Sequence, residues 1–159
     1  MSGTTPTPMN LRALVEKFET LAAWLQSPLL FVLRFYWGLS FARTGWGKLM
    51  HLEKTTAFFT DLHIPAPKVN AILAGSTECL GGALLLVGLF SRIVSVPLIA
   101  TMVVAYVTAD NEALHAIFSD TDKFVSAAPF QFLLVAVIVL AFGPGKISLD
   151  HLLRRKAGA

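Results

Sequence analysis

The sequence predicts an all-α integral membrane protein: a four-helix transmembrane bundle with an N-terminal interfacial amphipathic helix. Three observations predict it. Hydrophobic residues make up 55% of the 159 positions while charged residues make up 14%, against about 25% charged in ordinary soluble domains. Four apolar runs each have about the length needed to cross a hydrocarbon core of ~30 Å. Lys and Arg are distributed unequally between the two sides that those runs define. With 12 Phe, 3 Trp and only 10 acidic residues, the chain has too few polar groups to cover a water-facing surface, and lipid is the natural solvent.

Composition also excludes several classes. The net charge of +3 comes from basic residues that never form a patch backed by aromatics, so nucleic acid is not a partner that the sequence supports. The lone Cys79 excludes a disulfide framework and a multi-cysteine metal cluster, and no metal site is implied. No GxSxG, HExxH, P-loop or dinucleotide fingerprint is present.

Residues 1–10 (MSGTTPTPMN) are rich in Pro, Thr and Gly and read as disordered, without the basic n-region or cleavage site of a signal peptide. Asn10 is placed to cap a helix over 11–27. There Leu11, Leu14, Val15, Phe18, Leu21, Ala22 and Leu25 form one stripe, with Arg12, Glu16, Lys17 and Glu19 elsewhere. Such a helix lies in the headgroup plane with Trp24 at the interface, or packs its stripe on a protein partner.

The four apolar runs are Pro28 to Gly47, Val69 to Phe90, Ile93 to Ala109, and Phe124 to Phe142. Pro28 suits a helix start, and Pro97 and Pro129 fall near helix beginnings, where a missing N–H matters least. Residues 28–145 form the transmembrane unit and 146–159 a basic cytoplasmic tail. The side holding both termini carries Arg12, Lys17, Arg92, Lys146, Arg154, Arg155 and Lys156, whereas the other has Lys54, Lys68 and Lys123, with Lys48 at its edge. The positive-inside asymmetry places both termini in the cytoplasm.

Three charges fall inside the proposed spans: Arg34, Arg43 and Glu78. A charge at the bilayer centre costs about 2.5–3.5 kcal/mol even on the mildest scale, so it turns inward and finds a partner. By depth, Arg43 (roughly 21 Å in) matches Glu78 (roughly 18 Å) better than Arg34 (roughly 8 Å) at 1.5 Å per residue. By azimuth, Arg34 shares a face with Gly38, Phe41, Gly45 and Lys48, while Arg43 points away. The azimuth favours a buried Arg34–Glu78 contact with Lys48 capping the outer end of the same cleft, and Arg43 snorkelling to headgroups. The same pair is equally compatible with a device that only fixes helix register.

The stretch His51–His63 has Leu52, Thr55, Phe59 and Leu62 on one face and reads as a short helix over the outer mouth, a lid or an ordinary connector. His51, His63 and His115 lack the spacing of haem or copper ligands and read as solvated loop residues. Tyr106 and Asp110, one turn apart, either line the cleft or end the third span. His151, beside Arg154, Arg155 and Lys156, suits lipid headgroups. A Gly143-Pro144-Gly145 stop is followed by Ser148, placed to cap a final short helix.

Arg34, then Gly45-Trp46-Gly47-Lys48, then Glu78-x3-Gly82 with Gly88 and Arg92, then Gly143-Pro144-Gly145-x2-Ser148-x-Asp150, resembles the DoxX family of small bacterial membrane proteins from about residue 28 to 155. Arg43 departs from that pattern. The resemblance implies a four-helix membrane fold in the bacterial inner membrane. It also implies a link to quinone oxidoreductases, sulfur metabolism or oxidative stress, with some relatives serving as small subunits beside a redox partner protein. The reading that follows is a subunit binding a quinone or other lipid-like ligand through Arg34, Lys48 and Glu78, with Trp46 and Tyr106 as further ligand-binding candidates. Quinone is the candidate cofactor, no covalently attached group is implied, and haem is disfavoured. Two other classes remain open: an oligomeric small-solute or ion permease, and a non-catalytic anchor or assembly factor.

Overall fold

The computed structural model describes residues 11–157, which are helical with short connections and contain no strand. The expectation of disorder for residues 1–10 lies outside the described residues. Helix α1 (Leu11–Met50) is followed by α2 (Leu52–Asp61), α3 (Pro67–Val87) and α4 (Ser91–Thr108). Two short helices, α5 (Asn111–His115) and α6 (Thr121–Ser126), lead to α7 (Ala128–Phe142) and α8 (Leu149–Ala157). The long helices pack in a ring: α1 against α3, α3 against α4, α4 against α7, and α7 back against α1.

The burial pattern departs from that of a soluble bundle. On α3 the buried positions are Ala71, Gly75, Glu78, Gly81, Gly82 and Leu85, whereas Val69 and Leu80 are exposed by 65% and 66%. On α4, Ser91 and Ser95 are buried beside Leu98, Met102 and Tyr106, while Ile93, Val96 and Val103 face out. Small and polar residues among the buried ones, with many bulky aliphatics outside, are what a lipid solvent selects. α3 and α4 are long and apolar enough to cross a membrane, and α7 is a shorter apolar helix. The inner core is Phe41, Leu85, Leu98, Met102, Val135, Ala136 and Val139, with Trp37 and Phe132 packed on it.

One proline behaves differently from expectation. Pro28 lies inside the 40-residue α1 and does not begin a helix, so 11–27 is no separate amphipathic helix but runs straight on from the rest. A proline in a helix interior removes one ladder bond. Here the chain is held at that point by the loop after α7: Lys146 N–H donates to Ser27 Oγ at 3.3 Å, and Gly145 packs on Leu30 and Ser27. The stripe of Leu11, Phe18 and Leu25 stays 72%, 71% and 68% exposed. Pro97 lies in the second turn of α4, near the helix beginning. Pro129, by contrast, stops the expected fourth run from being continuous. Ala127 is extended (φ −62°, ψ 139°) and α7 begins only at Ala128, because the proline ring would clash with the carbonyl four residues earlier.

Close helix approach depends on Gly45. A Cβ there would stand 2.6 Å from Gly75 O and 2.8 Å from Glu78 C, and would also strike Cys79 N. All three are backbone atoms that cannot swing aside, so α1 and α3 meet this closely only because position 45 lacks a side chain.

At the α8 end, Gly88 turns the chain in the left-handed region (φ +73°) with Arg34 Nη1 where a Cβ would be. Asp150 accepts from the amides of Phe90 (2.8 Å) and Ser91 (3.0 Å), satisfying donors at the start of α4. Its own amide donates to Gly88 O at 2.9 Å. Ser148 Oγ accepts from His151 N at 3.2 Å, the capping role that the sequence suggests. The Gly-Pro-Gly segment with Ser148 and Asp150 is thus a clamp across the α3–α4 turn.

Candidate functional site

A cavity of about 990 Å³ opens at the α2 end of the bundle. Three helical faces converge on it. Thr44, Gly47, Lys48 and His51 come from α1 and the residue after it, at i, i+3, i+4 and i+7; Asn70, Leu73, Ala74, Thr77 and Glu78 come from α3. Pro97, Ala100, Thr101, Val104, Ala105 and Thr108 come from α4. Each set follows the 3.6-residue period, so each helix presents one stripe to the space.

The fourth wall is α2. Lys54, Thr55, Phe58, Phe59 and Leu62 line the cavity, followed by His63, Ile64 and Pro65. Thr55, Phe59 and Leu62 are half-buried while Glu53 and Lys54 are exposed, the face that the sequence periodicity marks. Thr55 Oγ1 donates to Lys48 O and to His51 O, both at 3.1 Å, pinning α2 to the end of α1. His63 ends the helix in the left-handed region (φ +55°).

The charged pair in this cavity is Lys48–Glu78, with Nζ 2.5 Å from Oε1. Glu78 is 2% exposed and the Lys48 side chain 32%, so the carboxylate is held in protein while the ammonium reaches the open space. Sequence reasoning assigns Glu78 to Arg34, and the structure corrects this. Gly38 opposes Leu86 and Gly45 opposes Cys79 across the α1–α3 contact. In that antiparallel register Glu78 is level with Trp46, about 18 Å along the axis from Arg34 at 1.5 Å per residue. Lys48 is half a turn away, close enough to bond.

Arg34 instead occupies the opposite end. It is fully buried. Its guanidinium donates through Nη1 to Leu85 O at 3.4 Å and through Nη2 to Ile147 O, while Nε has no partner among the described residues. A cation in the bundle interior is thus tied to a carbonyl in the last turn of α3, one that also accepts from Gly88 N–H, and to the loop beyond α7.

The other candidates also separate. Tyr106 is buried, its hydroxyl donating to Phe124 O at 2.9 Å and its ring stacked on Phe124 at 5.1 Å; it supports the α4–α6 junction and does not line the cavity. Trp46 is 59% exposed on the outer surface of α1. Arg43 is exposed, as expected for a snorkelling residue. Of the five ligand-binding candidates, only Lys48 and Glu78 line the cavity. Asn70, Thr77, Thr101 and Thr108 line it too and were missed. Their spacing with Glu78 or with one another was the available signal.

Among the described residues, no three His, Cys, Asp or Glu gather as a metal site. His51 and His63 border the cavity while His115 does not. Outside the apolar helices, the Lys123 ammonium, 2.9 Å from Glu112, holds that carboxyl below its ordinary value by hydrogen bonding and charge. Chemically, the site offers a largely apolar volume with hydroxyl and amide groups in its walls, a cation with spare donor capacity, and a buried carboxylate.

Aliphatics turned outward, membrane-length helices and a largely apolar cavity holding the Lys48–Glu78 pair define a small helical membrane protein. The DoxX family profile matches residues 29–111. An uncharacterised membrane protein of Mycobacterium tuberculosis is 33% identical over 139 residues, covering 83% of this chain and 85% of the relative. The chain belongs to the DoxX family. No solved structure matches it.

Proposed function

We propose that the protein is a multi-pass subunit of the bacterial inner membrane that binds a quinone or other lipid-like ligand in the cavity at the α2 end. In this reading, four spans are made by α1 from Pro28 onward, α3, α4 and α7, with both termini cytoplasmic, and a partner protein supplies the redox centre. The observation that carries the reading is the Lys48–Glu78 pair set in the wall of a 990 Å³ cavity where apolar residues such as Leu73, Val104 and Phe58 alternate with Asn70, Thr77, Thr101 and Thr108. Lys48 donates a hydrogen bond to a head-group oxygen, and Glu78 keeps the ammonium oriented. The apolar walls take the ring and tail, and α2 covers the mouth.

Orientation is supported by the basic residues at the α8 end, Arg154, Arg155 and Lys156. The redox link rests on family resemblance alone. The test is a mass spectrum and visible absorption spectrum of gently solubilised protein. Bound quinone in wild type that is lost in Glu78→Gln supports the reading; wild type without quinone, and failing to take up added short-chain quinone, rejects it.

A further inference from the structure

A second, smaller pocket lies at the opposite end of the molecule. About 190 Å³ in volume, it is bounded by Arg92, Phe142, the Gly143–Gly145 segment, Asp150, His151 and Arg154. We infer that this pocket binds the phosphate of an anionic phospholipid in the leaflet at the α8 end.

The electrostatics come first. Two guanidiniums and one imidazole face one carboxylate. That carboxylate, Asp150, already has both oxygens engaged by the amides of Phe90 and Ser91. Its acceptor oxygens are committed to the start of α4, and two guanidiniums against one carboxylate leave the pocket cationic. Arg92 donates through Nη2 to Ala141 O at 3.1 Å, which fixes its planar fork against Gly143, whose absent side chain leaves room beside Nε. Among the described residues the Arg154 guanidinium, on α8, has no hydrogen bond or ion pair within the protein, so its donors are available. A fork held in place with a second cation opposite suits a phosphate oxygen set.

The walls are held in shape. Gly143 and Gly145 sit at φ +79° and +78°, Arg34 grips Ile147 O from inside the bundle, and Asp150 N–H is bonded to Gly88 O. Binding therefore needs little ordering of the chain.

The surroundings select a lipid over free phosphate. Phe142, in the pocket wall, is 64% exposed, and Ile93, Ile147 and Leu149 nearby are 69%, 50% and 41% exposed. On α8, Leu152 and Leu153 are exposed next to Arg154, Arg155 and Lys156. A cationic pocket skirted by outward aliphatics at the end of apolar helices is where a headgroup stands with its acyl chains alongside.

The test uses the full chain in nanodiscs of phosphatidylcholine alone or mixed with phosphatidylglycerol, with retained lipid counted by native mass spectrometry. Phosphatidylglycerol is expected to be retained over phosphatidylcholine, and to weaken about fivefold for each of Arg92→Gln and Arg154→Gln. Arg154→Gln is the cleaner variant, because it breaks no bond within the protein. Arg155→Gln and Lys156→Gln, outside the pocket, are expected to leave retention nearly unchanged, and added inorganic phosphate not to displace the lipid. Equal losses from the tail variants would mean a diffuse basic surface and overturn the proposal. Equal retention of both lipids, or phosphate binding that depends on Arg154 without any lipid preference, would overturn it as well.

Discussion

Lys48 Nζ lies 2.5 Å from Glu78 Oε1, joining α1 to α3 within the wall of the larger cavity. The two partners are not equivalent, because Glu78 is 2% exposed while the Lys48 side chain is 32% exposed. Removing the lysine strands a carboxylate in protein; removing the carboxylate leaves an ammonium that can turn into open space. Breaking a buried pair from one side costs about 3–5 kcal/mol.

Lys48→Met is therefore expected to lower stability by an amount approaching that range, and Glu78→Gln by clearly less. The double variant should recover much of the lysine loss. Denaturant unfolding in a fixed detergent measures all three, and equal losses from the two single variants would contradict the asymmetry.

Gly45 and Gly47, two residues apart, should respond oppositely to alanine. At Gly45 the new methyl meets α3 backbone, and overpacking of this kind costs about 1–3 kcal/mol or more. At Gly47 nothing lies within 4 Å, so Gly47→Ala should be neutral or stabilising by about 0.5–1 kcal/mol through helix propensity. Thermal melts of both variants decide this.

Arg34 bridges Leu85 O and Ile147 O, which a single ammonium cannot do in the same geometry. Arg34→Lys is expected to loosen the 143–150 clamp, with hydrogen bonds to a charged donor worth about 1.5–3 kcal/mol each at stake. Faster amide exchange at Gly88 and Asp150, with little change at Glu78, is the expected signature. Unchanged exchange at the clamp would contradict it.

Much of this architecture was legible in the sequence, and the places where it was not share a cause. The α3 and α4 spans begin and end within three residues of their expected positions, because apolar periodicity and the Gly88 turn are local signals. Arg34 and Lys48 were correctly placed on one face of α1. Which of them meets Glu78 depends on how far α1 is shifted along α3, and no single-helix pattern contains that shift. The close approaches at Gly38, Gly45, Gly75 and Gly82 set it, and their matching seven-residue spacings on the two helices were the overlooked signal. The continuity of α1 through Pro28 was hidden for a similar reason: the contact from Lys146 to Ser27 spans 119 residues.

Outside the apolar helices, the Lys123 partner holds Glu112 below its ordinary carboxyl value. A depressed folded value gives stabilisation that is present above the unfolded value and lost as pH falls through the folded one. The α5–α6 connection should therefore loosen only below the usual glutamate range, and Glu112→Gln should remove that acid response. Since the pair is solvent-exposed, salt should weaken it. Exchange rates of the 112–123 amides from neutral to acidic pH check the sign.

The central claim concerns occupancy of the larger cavity, and a photoreactive short-chain quinone tests it most directly. Irradiation of the protein in nanodiscs, followed by peptide mapping, is expected to label residues facing the cavity on α2, α3 and α4, among them Phe58, Leu73 and Val104. Labelling should fall about tenfold or more in Lys48→Ala, which lacks the head-group donor. Labelling confined to lipid-facing positions such as Leu80 and Val96, or undiminished in Lys48→Ala, would contradict it.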